Sequence, residues 1–90
     1  MKAVRAIVSG RVQGVGFRYS AQRKAKSFGL RGYVRNKVDG SVEAFAEGEK
    51  GDVDAYLKWL KKGPSSAVVR DVKVQEFPYE GLYKGFDIAF

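Results

Sequence analysis

Glycine signals punctuate this chain at short intervals, so it can only fold from short elements joined by tight turns. Residues 2–9 alternate, with Val4, Ala6 and Val8 on one face, and predict a strand. A glycine-rich turn follows, from Gly10 to Gly16. Phe17, Ala21, Ala25 and Phe28 then recur at helical spacing and predict a helix over roughly 17–28. Gly29 suits the left-handed position that ends a helix, with Leu30 folding back on Ala25. Leu30 to Asn36 reads as a second strand, and Asp39-Gly40 as the turn of a hairpin. The third strand covers about 41–47, with Val42, Ala44 and Ala46 facing away from Glu43, Phe45 and Glu47. A second helix covers about 53–62, where Val53, Tyr56, Leu57 and Leu60 share a face. Asp52 is read as its N-cap, Asp54 and Lys58 as a supporting pair, and Gly63-Pro64 as its stop. Val68 to Phe77 is a fourth strand, and residues 84–90 are a fifth apolar segment with Phe86, Ile88 and Phe90 on one side. The order βαββαβ, with an added final strand, is that of an α+β, ferredoxin-like two-layer sandwich. Two helices cover one face of an antiparallel sheet.

Ninety residues supply one hydrophobic core, so residues 1–90 are expected to form a single domain. No apolar run approaches the roughly 20 residues of a membrane span, and the first residues lack a signal peptide's apolar region. The expected location is therefore the cytoplasm. With no cysteine and no histidine, the chain cannot build disulfides, zinc-thiolate sites, cysteine nucleophiles or a histidine base. Its chemistry must come from Arg, Lys, carboxylates, hydroxyls, amides and backbone. The charge is uneven. Residues 1–38 hold ten Lys and Arg and no acid, whereas residues 39–90 hold seven Lys and Arg against ten Asp and Glu. A basic half of this kind suits an anionic partner, and it is equally the pattern of ordinary solvated lysine on helices and loops.

The most informative segment is Gly10-Arg11-Val12-Gln13-Gly14-Val15-Gly16-Phe17-Arg18, which joins a strand to a helix N-terminus. Such a junction offers unpaired backbone N–H groups and the positive end of a helix dipole. Glycines let successive N–H groups converge on one point, and Arg18 can add a guanidinium fork. The alternative is a purely structural turn whose glycines satisfy positive φ. Nucleotide-binding patterns do not fit. No Lys-Ser or Lys-Thr follows a glycine, and Tyr19 stands where a dinucleotide fingerprint starting at Gly14 requires Gly or Ala.

The run GRVQGVGFR resembles the signature of the acylphosphatase family. A second matching segment runs from Gly32 to Val42, and a third, looser one from Gly63 to Val69. The resemblance covers the whole chain and implies the same sandwich fold. It also implies metal-independent hydrolysis of the carboxyl–phosphate anhydride to a carboxylate and inorganic phosphate. Arg18 matches the family's catalytic arginine, which grips the phosphoryl group, and Asn36 matches the asparagine that orients the attacking water. Gln13, Gly14, Val15, Gly16, Phe17 and Arg18 match the loop whose backbone amides hold the phosphate. Lys37 departs from members that carry threonine there, which puts hydroxyl assistance at that position in doubt. The expected ligands are an acyl phosphate substrate and inorganic phosphate as product and inhibitor. No cofactor or metal, no nucleic acid and no membrane are expected, and the protein is expected to be a monomer.

This residue set is chemically sufficient. A carboxylate leaving group needs no strong acid, so the task is to neutralise phosphoryl oxygens and aim a water in line. Asn36 also stands out unaided, as the only asparagine and at a strand end, where asparagine is depleted. Glu43 and Glu47 are assigned to a solvated strand face, Asp39 to its turn and Ser20 to the helix surface. Tyr56 is assigned to the core, with Trp59 on its flank. The main rival is an RNA-recognition module, which shares this element order. Arg31-Gly32-Tyr33 begins its sheet signature, but Val34-Arg35-Asn36 breaks it, and no paired aromatic platform is evident. A non-catalytic phosphate-binding domain is disfavoured by the presence of both Arg18 and Asn36. A detached piece of a multidomain carbamoyl-transfer protein is disfavoured by Met1 and the closing strand.

Overall fold

The computed structural model describes residues 1–90. Its elements are β1 (Lys2–Arg11), α1 (Phe17–Ser27), β2 (Arg31–Asn36), β3 (Val42–Gly48), α2 (Lys50–Lys62), β4 (Val68–Phe77) and β5 (Phe86–Ala89). The sheet order is β4-β1-β3-β2-β5. The first four strands pair antiparallel, and β5 runs parallel to β2 at the edge. The sheet is thus antiparallel in its βαββαβ body and mixed once the added strand is counted.

Register explains the two faces. Val4, Ala6 and Val8 pair with Ala46, Ala44 and Val42, and Val34 lies opposite Ala44. These side chains are buried with Phe17, Ala21 and Ala25 of α1 and Val53, Tyr56 and Leu60 of α2. Alanines in the strands give the helices room for the larger Phe17 and Tyr56. Burial pushes the Tyr56 phenol up from its ordinary pKa, and its hydroxyl donates to the Ala21 carbonyl at 3.1 Å. Trp59 stacks beside Tyr56 at 6.3 Å, on the flank of the core. After α1, Leu30 N–H donates to Ala25 O and Gly29 N–H to Lys26 O, both at 3.0 Å, which turns the chain sharply into β2.

Several expectations need correction. Glu43 and Glu47 are not solvated: they are 4% and 2% exposed. The face opposite the helices carries its own layer, in which Tyr33, Phe45, Phe77 and Tyr83 pack together. Glu43 bonds Arg35 within this layer and has Arg5 at 3.8 Å, and Glu47 accepts the Leu82 N–H from the β4–β5 connection. A buried carboxylate persists where such donors meet it. The same layer contains a stacked aromatic pair, Tyr33 and Phe45, at 5.9 Å and 7°, which the sequence does not reveal. These rings pair across β2 and β3 rather than along one segment. Asp52 is not the N-cap of α2. The helix starts earlier, after Glu49, and Asp52 lies in its first turn. Asp54 pairs with Lys50 and Lys2, both at 2.9 Å, instead of Lys58. Phe90 lies beyond β5 and is fully exposed, unlike Phe86.

Candidate active site

The β1–α1 connection ends on Gly14 at φ 74° and Gly16 at φ 76°, a left-handed backbone that L side chains adopt only with strain. A Cβ at either position would meet nothing within 4 Å, so the constraint is the backbone angle rather than crowding. Gly16 caps α1 without a side-chain bond, and the first turn of α1 contains no acid. The backbone N–H groups from Gln13 to Tyr19 donate to no acceptor in the protein, the first helical bond being Ser20 N–H to Gly16 O. Seven successive donors (residues 13–19) thus have no acceptor in the protein, and they lead into an uncompensated dipole end.

Other groups hold this loop from outside. Gln13 Nε2 donates to the Lys37 and Ser41 carbonyls at 2.8 and 2.9 Å, tying the loop to the β2–β3 hairpin. Ser66 Oγ donates to the Val15 carbonyl at 2.8 Å, and Val15 packs against the core. The Gln13 side chain is thus a tie, and its amide N–H is left for a ligand. Asp39 Oδ1 accepts from Ser41 N–H and Oγ–H, at 2.9 and 2.6 Å. These bonds hold the Asp39 carboxyl below its ordinary pKa. Asp39 therefore serves the turn, as its dipeptide implies.

Arg18 lies in the first turn of α1 and Asn36 ends β2. Asn36 pairs with Val42 and so shares the helix-facing side of the sheet. Arg18, Asn36, Gly14 and Gly16 line one cavity of about 190 Å³. Asn36 Oδ1 is buried without a hydrogen-bond partner, and a buried acceptor of this kind calls for a donor from a ligand or water. Phe17 contributes to the cavity wall while its ring is in the core. Gln13, Val15 and Lys37 are not in the lining. Tyr19, Ile88 and Phe90 are, and the Phe90 ring centre is 5.3 Å from Arg18 Cζ. Sequence reasoning did not assign these three to the site. The alternation of Phe86, Ile88 and Phe90 indicated a shared side, but not that β5 would lie parallel against β2 and bring Phe90 to Arg18.

No Asp or Glu side chain lines the cavity. Amide donors, one guanidinium and one side-chain amide can bind an anion and position a water, without moving a proton through an ionisable base.

The acylphosphatase family model matches residues 4–88. An acylphosphatase of Acaryochloris marina is 51% identical over 85 residues, spanning 94% of this chain and 90% of that protein. An acylphosphatase of Thermotoga petrophila is 49% identical over 90 residues, spanning 100% and 99% of the two chains. The crystal structure of acylphosphatase from Bacillus subtilis superposes with a TM-score of 0.96 at 39% identity, covering 100% of both chains. With this agreement along its whole length, the chain belongs to the acylphosphatase family.

Proposed function

We propose that this protein hydrolyses acyl phosphates at the cavity between the β1–α1 loop and the end of β2. The reaction is that of the family: water attacks phosphorus, the bond from phosphorus to the acyl oxygen breaks, and carboxylate and inorganic phosphate leave. The electron pair of the broken bond stays on the carboxylate, and both protons of the water end on phosphate. The amides of Gln13, Gly14, Val15, Gly16, Phe17 and Arg18 receive the phosphoryl oxygens, and the Arg18 guanidinium neutralises them. Asn36 accepts a hydrogen bond from the attacking water through Oδ1 and holds it in line. The carboxylate is a stable leaving group, so no metal and no general acid is required.

The observation that carries this reading is the joint presence of Arg18 and the unpartnered Asn36 Oδ1 in one cavity with Gly14 and Gly16. The test is turnover of benzoyl phosphate in excess chelator, with inorganic phosphate as inhibitor. Undiminished turnover and competitive inhibition are expected. Activity restored only by a divalent ion, or no competition by phosphate, would refute the mechanism.

Residues 1–90 are read as one acylphosphatase domain acting as a cytoplasmic monomer. No helix is long and apolar enough to cross a membrane. A role on nucleic acid is not proposed. The stacked rings of Tyr33 and Phe45 share their sheet face with the carboxylates of Glu43 and Glu47, which oppose a phosphate backbone.

A further inference from the structure

The cavity lining holds two chemically different sets of residues. Gly14, Gly16, Arg18 and Asn36 supply the polar one, and all have a task in the reaction proposed above. Tyr19, Ile88 and Phe90 supply an apolar one that phosphoryl transfer does not use. Tyr19 is 60% exposed and Phe90 is 103% exposed, so both rings present apolar surface to solvent beside the phosphoryl cradle. The Phe90 ring is also next to Arg18, at 5.3 Å from Cζ. A group attached to a phosphoryl held by Arg18 therefore lies within reach of that ring. Arg18 is the one cation in the lining, and Lys37 is not part of it. Arg23 is not in the lining either, and its Cζ is 5.8 Å from the Tyr19 ring centre.

We propose that Tyr19, Ile88 and Phe90 form an acyl subsite that selects acyl phosphates with an aromatic or bulky apolar acyl group over small ones. The inference rests on the proposed function, in which the loop and Arg18 hold the phosphoryl group. A ring or branched chain buries apolar surface against Phe90 and Tyr19, whereas an acetyl group is too small to cover both. Binding at a part of the substrate remote from phosphorus acts in the ground state and the transition state alike, so it should be read mainly in KM.

The experiment compares kcat/KM for benzoyl phosphate and acetyl phosphate in the wild type, Phe90→Ala, Tyr19→Ala and Phe90→Tyr. The quantity read is the change in the benzoyl-to-acetyl ratio, which cancels the different intrinsic reactivity of the two anhydrides. Phe90→Ala is expected to lower that ratio about tenfold, equivalent to about 1.4 kcal/mol, chiefly through KM for benzoyl phosphate. Tyr19→Ala should lower it in the same direction, and Phe90→Tyr, which keeps a ring, should restore it. The inhibition constant of inorganic phosphate should stay within about twofold in all variants, because phosphate has no acyl group. A ratio unmoved by both alanine variants would overturn the subsite. Equal losses on both substrates, with a parallel loss of phosphate affinity, would overturn it too and show that the ring acts through Arg18. These results are distinct from failure of the underlying reading, which would appear as no wild-type turnover of either substrate and no inhibition by phosphate.

Discussion

Arg18 and Asn36 have different surroundings, and this separates the tasks proposed for them. Arg18 stands among free amide donors at a helix start, where a dianion is best neutralised. Asn36 supplies a buried acceptor without a partner, which suits a water rather than a phosphate oxygen. Asn36→Ala should therefore lower kcat about 10²-fold, equivalent to about 2.7 kcal/mol, and leave the phosphate inhibition constant near its wild-type value. Steady-state kinetics with phosphate inhibition checks this. A parallel collapse of phosphate affinity would assign Asn36 to binding instead. Arg18→Lys should lower kcat/KM by about 10³-fold and weaken phosphate binding, since an ammonium cannot reproduce the planar fork. Wild-type kinetics in that variant would remove Arg18 from the site.

The cradle depends on ties between elements rather than on the loop alone. Gln13 joins the loop to the turn of the β2–β3 hairpin, which β2 enters from Asn36. The Gln13 side chain thus links the two halves of the proposed site. Gln13→Ala keeps the backbone amide but breaks both bonds. It should reduce stability by about 1–2 kcal/mol, measured by urea unfolding, and weaken both phosphate affinity and kcat. If stability falls while kinetics are unchanged, the tie braces the fold without setting the geometry of the site. Ser66 adds a second anchor from the α2–β4 connection, at the Val15 carbonyl. The loose sequence match near residues 63–69 thus has a physical counterpart: this segment touches the cradle from behind.

The molecule as a whole is a sheet covered on both sides, by helices on one and by an aromatic and ionic layer on the other. Lys2 of β1 crosses to Asp54 of α2 at 2.9 Å, joining the layers at an edge. Hydrogen bonds from Lys2 and Lys50 hold the Asp54 carboxyl below its ordinary 3.8, and the Asp54 carboxylate holds Lys2 above its ordinary 10.5. The depressed carboxyl stabilises the fold above 3.8, and that stability is lost as pH falls through its folded pKa. The raised Lys2 stabilises below 10.5, and its contribution is lost as pH rises through its folded pKa. The difference in Tm between wild type and Asp54→Asn should therefore be largest between these limits and shrink outside them. Thermal unfolding across pH tests it, and a difference independent of pH would show that the pair contributes nothing.

What sequence alone determined is local. Alternation in residues 2–9 and 41–47, helical spacing in 17–28, and glycines before and after α1 are properties of neighbouring residues. They specified the elements and the glycine-rich turn, because turn geometry and amphipathic faces are set over a few positions. The GRVQGVGFR run and Asn36 were legible for the same reason. Tertiary structure decided what depends on register. Glu43 and Glu47 alternate as solvated residues would, yet they are buried, because aromatic side chains from other strands and the Leu82 amide come to them. Asp52 lies inside α2 because the helix begins at Lys50, about a turn earlier, and Asp54 found Lys2 across the chain. Ile88 and Phe90 reached the cavity only once β5 had paired with β2. Pairing over long sequence separations is fixed by burial summed over the whole sheet, which no local window contains.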